Sequence, residues 1–163
     1  VLHILHSKLN NKREDGIKCI VMVPTRELAI QINEVIQTLG KNTRVNSFSV
    51  FGGVEQGPQI AKLEKGIDIL VTTPGRMFDL VSQGFIKLNR VEILVLDEAD
   101  HMVDIGFIQD IKFLISLLPS DRQSLFFSAT IDGKVKEVKL TKEELGRQDA
   151  KKISACAGMK GAR

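Results

Sequence analysis

The stretch Leu94-Val95-Leu96-Asp97-Glu98-Ala99-Asp100-His101-Met102 sets an apolar run against a sudden cluster of carboxylates. A short continuous run of this kind reads as a strand buried on both faces. Acids at the carboxyl end of a strand suit phosphate chemistry, because Mg²⁺ takes one or two carboxylates and keeps several waters. Asp97 is placed to hold such an ion through water. Glu98, next along, is placed to orient or deprotonate a water attacking a phosphate. An isolated acidic turn facing solvent would look the same, so the surrounding sequence decides between the two.

Outward from that stretch, one plan repeats. Residues 18–23 (KCIVMV) read as a strand, followed by Pro24-Thr25 and a helical spacing of Leu28, Ile32, Val35 or Ile36, and Leu39. Thr25 is the expected helix N-cap and Gly40 the expected stop. Residues 45–51 alternate as a strand and end at Gly52-Gly53, and a helical segment follows at about 55–65. Residues 67–71 (IDILV) read as a strand. Thr73-Pro74 then opens a helix, Thr as cap and Pro at its first position, that stops near Gly84. Residues 92–96 lead into the carboxylates, a helix is expected at about 107–118 before Pro119, and 124–127 (SLFF) form a last strand before Ser128-Ala129-Thr130. Strands alternating with helices imply an α/β fold with a parallel sheet, because parallel neighbours need a long crossover. Ligands of such sheets bind beyond the carboxyl ends of the strands. Five polar clusters fall at that edge: Pro24-Thr25-Arg26, Gly52-Gly53, Thr73-Pro74-Gly75-Arg76, Asp97 to Asp100, and Ser128 to Thr130. Their convergence favours a ligand site over an idle acidic turn.

Composition sets the outer limits. The chain has 163 residues, 43% hydrophobic and 26% charged, which suits one soluble domain with a core of its own. No apolar stretch approaches the roughly 18 residues of a membrane span. Two cysteines, Cys19 and Cys156, form neither a disulfide framework nor a metal site, which makes a reducing cytoplasm the default location. The net charge of +3 is uneven: residues 134–163 carry nine Lys/Arg and four Asp/Glu, whereas the body before them has a balance of −2. Net charge therefore does not argue that the body binds nucleic acid, and specific residues must. Helix N-termini near Thr25 and Thr73 aim N–H groups at anions, Gly52, Gly53 and Gly75 allow close backbone approach, and Arg26 and Arg76 suit phosphate. Arg26 in a surface salt bridge and Thr73-Pro74 as plain capping chemistry are the structural alternatives. His101 belongs at the rim of the cleft, and Phe126 and Phe127 fit core packing better than base stacking.

Together and in order, PTRELAIQI at 24–32, GG at 52–53, TPGR at 73–76, DEAD at 97–100, GF at 106–107 and SAT at 128–130 resemble the DEAD-box RNA helicases, most closely the bacterial RhlE-type. The resemblance covers about residues 1–138. It implies a RecA-like, P-loop NTPase-type parallel sheet flanked by helices, and ATP hydrolysis coupled to RNA unwinding or remodelling. It implies Mg²⁺–ATP at Asp97 and Glu98, with Glu98 activating water. It implies a contact of Asp100 with the loop Ser128-Ala129-Thr130 that couples nucleotide to RNA. It implies grip on the RNA sugar-phosphate backbone by Pro24, Thr25, Arg26, Gly52, Gly53, Thr73, Pro74, Gly75 and Arg76, without base readout. A second RecA-like domain is the expected partner in the full-length protein.

The chain departs from that pattern in two places. No G-x-x-x-x-G-K-[ST] phosphate loop occurs in it. By resemblance that loop precedes the helix matching VLHILHSKL, so 1–138 is expected to be an incomplete first domain. Residues 139–163 are expected to be a divergent, poorly ordered charged tail. By the same resemblance the strand 124–127 lies between the carboxylate strand and the phosphate-loop strand. Without the latter it is expected to be an open edge with Phe126 and Phe127 partly exposed. An RNA-binding or adaptor module that works without nucleotide, or a non-functional remnant, would carry the same RNA loops.

Overall fold

The computed structural model of the chain describes residues 1–9 and 16–130. The elements are α1 (Leu2–Leu9), β1 (Cys19–Met22), α2 (Arg26–Gly40), β2 (Ser47–Val50), α3 (Gly57–Leu63), β3 (Ile69–Thr72), α4 (Pro74–Ser82), β4 (Ile93–Leu96), α5 (Ala99–Asp104), α6 (Ile108–Leu117) and β5 (Gln123–Phe126). The five strands form one sheet in the order β2-β3-β1-β4-β5, and every pairing is parallel. Every strand therefore ends on the same edge, as the alternation of strands and helices requires. The expected tail at 139–163 lies outside the described residues.

The sheet is covered on both faces, which is why β1, β3 and β4 are buried at every position. Cys19, Val21, Ile69, Val71, Ile93 and Val95 face Leu5 of α1 and Ala29 of α2. The alternate residues Ile20, Met22, Leu70, Leu94 and Leu96 face α3 to α6, through Leu63, Met77, Leu80, Met102, Ile111 and Leu114. Each such side chain stabilises the fold by roughly 1.5–3 kcal/mol when fully buried.

The helix ends hold one correction, at Thr73. Thr25 caps α2 as expected, its hydroxyl accepting the Leu28 N–H at 3.3 Å. The helix ends at Gly40, as expected, although Lys41 beyond it is still right-handed. Gly40 is buried, and a Cβ there would meet a Leu2 methyl at 3.5 Å, an ordinary contact. Thr43 fastens the turn that follows, giving its N–H and hydroxyl to the Gly40 carbonyl at 2.8 and 2.7 Å. Thr73 occupies the N-cap position of α4, but its side chain makes no capping bond. Gly84 does end α4: at φ +83° it gives its N–H to Val81, while Phe85 reaches back to Leu80.

The largest miss is α5, since the sequence reading assigns no element between the carboxylates and about residue 107, where the chain re-enters a helix at once. Phe126 also departs from expectation. It is only 3% exposed, because it points into the α3–α6 face of the core, while Phe127 is half-buried against the other.

Candidate functional site

The five polar loops meet at the carboxyl edge of the sheet in two groups. The first group follows β1, β2 and β3. The Arg26 guanidinium lies against Gly53, 3.7 Å from where a Cβ would project, so the loops after β1 and β2 touch. Gly53 has φ +79°, a conformation that glycine adopts without penalty. Arg76 links α4 to the same loop, donating to the Val54 carbonyl at 2.9 Å. Its side chain is turned inward, only 13% exposed, with Asp79 at 4.0 Å and one guanidinium nitrogen buried without a partner. Arg26 stays half-exposed and pairs with Glu27 at 3.1 Å, the salt-bridge alternative raised from sequence. Pro24, Thr25, Thr73, Pro74, Gly75 and Gly52 stand on this same edge, at the ends of β1, β3 and β2 and the starts of α2 and α4.

The second group follows β4 and β5. Asp97 is anchored by its N–H to the Met22 carbonyl at 3.0 Å, and its own carboxylate accepts the Glu98 N–H at 3.0 Å. Burial, helped by the Glu98 charge, raises the Asp97 pKa against that hydrogen bond. Glu98 has φ 50° and ψ 49°, the one left-handed non-glycine residue among those described. That kink lets α5 start at once, with the Ala99 N–H held by the Phe127 carbonyl at 3.0 Å. The Asp100 carboxylate then reaches across to the neighbouring strand end. It accepts the Thr130 N–H at 2.9 Å and the Thr130 hydroxyl at 3.0 Å. The Ser128 hydroxyl lies within reach of Asp100 as well, but its closest contact is to the Thr130 carbonyl. Burial opposes ionisation of Asp100. The Thr130, His101 and Ser128 donors outweigh it and hold the carboxyl below the usual carboxylate range.

Asp97, Glu98, Asp100, Asp104, Ser128 and Ala129 line a cleft of about 510 Å³. His101 lines it too, its Nδ1 3.2 Å from a Glu98 oxygen. The sequence reading put His101 at the rim and missed this contact. The spacing of three residues from Glu98 would have revealed it had α5 been foreseen.

The left-handed Glu98 gives a stability test. A residue with a Cβ costs roughly 1–2 kcal/mol in that conformation, and its contact with His101 is exposed and worth little. Glu98→Gly is therefore expected to stabilise the chain by about 1 kcal/mol in urea unfolding, after the added freedom of the unfolded state is counted. A less stable variant would show that the kink carries no strain.

A doubly covered parallel sheet with carboxylates at one strand end and glycine-rich, arginine-bearing loops at its neighbours defines a RecA-like α/β domain. A family model described as DEAD/DEAH box helicase matches residues 1–138, and the chain belongs to that family. It is 47% identical over 116 residues to ATP-dependent RNA helicase DBP2 of Chaetomium thermophilum, covering 71% of this chain and 21% of that protein. It is 42% identical over 128 residues to DEAD-box ATP-dependent RNA helicase CshA of Bacillus subtilis, covering 78% of this chain and 26% of that protein. Among solved structures it resembles a hypothetical ATP-dependent RNA helicase from Sulfolobus tokodaii, at a TM-score of 0.75 and 35% identity over 86% of this chain and 40% of the other. It also resembles the yeast DEAD-box splicing factor Prp28, at a TM-score of 0.73 and 33% identity over 77% of this chain and 30% of the other. The chain thus spans about a quarter or less of the length of these curated relatives.

Proposed function

We propose that the chain is the RNA-gripping and carboxylate-bearing part of an ATP-dependent RNA helicase of RhlE type. The observation that carries this reading is the Asp100–Thr130 bridge, which ties the carboxylate loop to the loop after β5 through two hydrogen bonds to one oxygen. A shift of either loop must break or carry the other. Such a link is what coupling a nucleotide state to RNA geometry requires.

The donor set fits a hydrated Mg²⁺. Asp97 and Glu98 offer two adjacent carboxylates on an open cleft. No cluster of three or more acidic, His or Cys residues forms a closed metal cage among the described residues. Mg²⁺ is held in that open way, by one or two carboxylates with water and phosphate completing its shell. Bound ATP with its Mg²⁺ would supply the phosphoryl group that is hydrolysed. Asp97 would hold the ion through water. Glu98, with His101 beside its carboxylate, would take the proton of the attacking water. Pro24, Thr25, Arg26, Gly52, Gly53, Thr73, Pro74, Gly75 and Arg76 would hold successive RNA phosphates, and a second RecA-like domain would close over them. Arg76 would act partly by fixing the Val54 loop, given its inward turn. A cytoplasmic setting belongs to the same reading, and the free Cys19 thiol fits it.

The missing phosphate-loop motif makes a sharp test on these 163 residues. They are expected to bind single-stranded RNA without sequence preference and to show no RNA-stimulated phosphate release from ATP. Arg26→Ala should weaken RNA binding on all sequences equally, with a shallower salt dependence. Phosphate release that Glu98→Gln abolishes would overturn the expectation for ATP. RNA binding indifferent to Arg26 would overturn the role of the first loop group.

A further inference from the structure

A second feature lies at the opposite, amino end of the strands, outside the site above. A groove of about 450 Å³ runs between the carboxyl ends of α2 and α3 and the start of β2. Lys41, Lys62 and Lys65 line it and no carboxylate does. None of the three is in an ion pair among the described residues. Arg44, exposed, stands in the loop that forms one wall. Glu64, exposed between Lys62 and Lys65 in sequence, does not line the groove, and Asp68 is buried, its carboxylate accepting the Asn46 N–H at 2.8 Å. The Ser47 hydroxyl on the groove has its oxygen buried and without a partner.

Lysines at helix carboxyl ends could simply balance the helix dipoles. Magnitude decides against that as the whole account. Two helix ends carry roughly −0.5 each, and three lysines bring +3. The surplus sits in a body whose overall balance is negative. The last carbonyls are also already occupied, Gly40 by Thr43 and Leu63 by Gly66.

We infer that this groove is a second phosphate-backbone site, which takes the flank of an RNA strand held at the carboxyl edge; the inference rests on the RNA reading proposed above. β2 is the outermost strand and joins the two places. From Ser47 to Gly52 the chain advances about 17 Å, at roughly 3.3 Å per residue. A stacked strand advances about 3.4 Å along its axis per phosphate, so about five stacked nucleotides bridge the gap.

The test uses the 163-residue chain tethered at low density through its carboxyl terminus, so that copies do not meet. Oligouridylates of about five and about fifteen nucleotides are titrated over a range of salt. Each neutralised phosphate of a single strand contributes about 0.7 to the slope of log K against log salt. Lys41→Gln, Lys62→Gln and Lys65→Gln together are expected to lower the slope by about 2 with the longer oligomer. With the shorter one the change should stay below about 0.7, since the loops alone accommodate it. These side chains lie on the surface groove, so an unchanged thermal transition checks that the variant is folded. An unchanged slope with the longer oligomer, or equal loss with both, overturns the second site while leaving the first intact. Competition by inorganic phosphate at constant ionic strength would reveal an isolated anion site and overturn the continuous track. Failure of the unaltered chain to bind either oligomer overturns the RNA reading itself.

Discussion

The 163-residue chain is expected to self-associate at micromolar concentration through the outer edge of β5, and Ser124→Pro is expected to leave it monomeric. Among the described residues β5 is the last strand of the sheet. Gln123 and Phe127 give their N–H groups to Glu92 and Leu96 on the β4 side. By the alternation of a parallel ladder, Ser124 and Phe126 turn their N–H and C=O groups away from β4, although both residues are buried, at 1% and 3% exposure. No charged residue interrupts Gln123 to Thr130, so no charge on the strand opposes strand addition. Leu125 and Phe127 remain half-buried and gain cover from a neighbour. The opposite edge is guarded. There Gln37 donates to the outward Ser47 carbonyl at 3.3 Å, and Gln59 occupies both the N–H and the carbonyl of Phe51 at 3.2 and 3.1 Å. Proline at 124 removes an outward donor and no bond to β4. The Ser124 hydroxyl it deletes is buried without a partner. Sedimentation velocity across a concentration series separates the outcomes. A compact monomer throughout, or equal association of the proline variant, would show that the edge is covered.

The sheet and its five loops were legible because parallel topology leaves little freedom. A strand covered on both faces must be apolar at every position, as Ile69-Leu70-Val71 and Ile93-Leu94-Val95-Leu96 are, and its polar residues collect where it ends. What escaped were features set by single backbone angles and by side-chain choices. Glu98 enters the left-handed region, and only then can α5 begin at Ala99; no apolar period in DEAD announces it. Gly40 does end α2, but the right-handed Lys41 after it and the Thr43 hydroxyl on its carbonyl are not announced by the sequence. The inward turn of Arg76 toward Val54 is equally invisible, because both a phosphate ligand and a loop clamp call for arginine at that position. Phe126 followed strict alternation into the core, which the edge argument had overlooked by treating the two phenylalanines alike.

Loss of stability in alkali is expected to trace largely to Cys19. The thiol is fully buried at the start of β1, against Ile69 and Ile93 in register, and burial pushes its pKa up to about 12. In the unfolded chain a cysteine ionises near 8.5. Between about pH 9 and 12 the unfolded state therefore loses this proton while the folded state keeps it. The unfolded state binds fewer protons, so the free energy of unfolding falls as pH rises. The slope from one such group is about 1.4 kcal/mol per pH unit. Over two to three units this removes roughly 3–4 kcal/mol, a large part of the 5–15 kcal/mol that holds a typical domain. Below about pH 8 the group contributes no slope, because both states are protonated. Comparing the chain with its Cys19→Ala variant, both carrying Cys156→Ser, isolates the effect. Alanine lowers stability by a constant amount through lost packing, but it abolishes this part of the pH slope. Lysine titration near pH 10.4 is common to both chains and cancels in the difference. Unfolding free energies from urea melts should thus converge as pH climbs from 9 to 11. Parallel profiles over that interval would mean that the thiol ionises in the folded chain nearly as easily as in water.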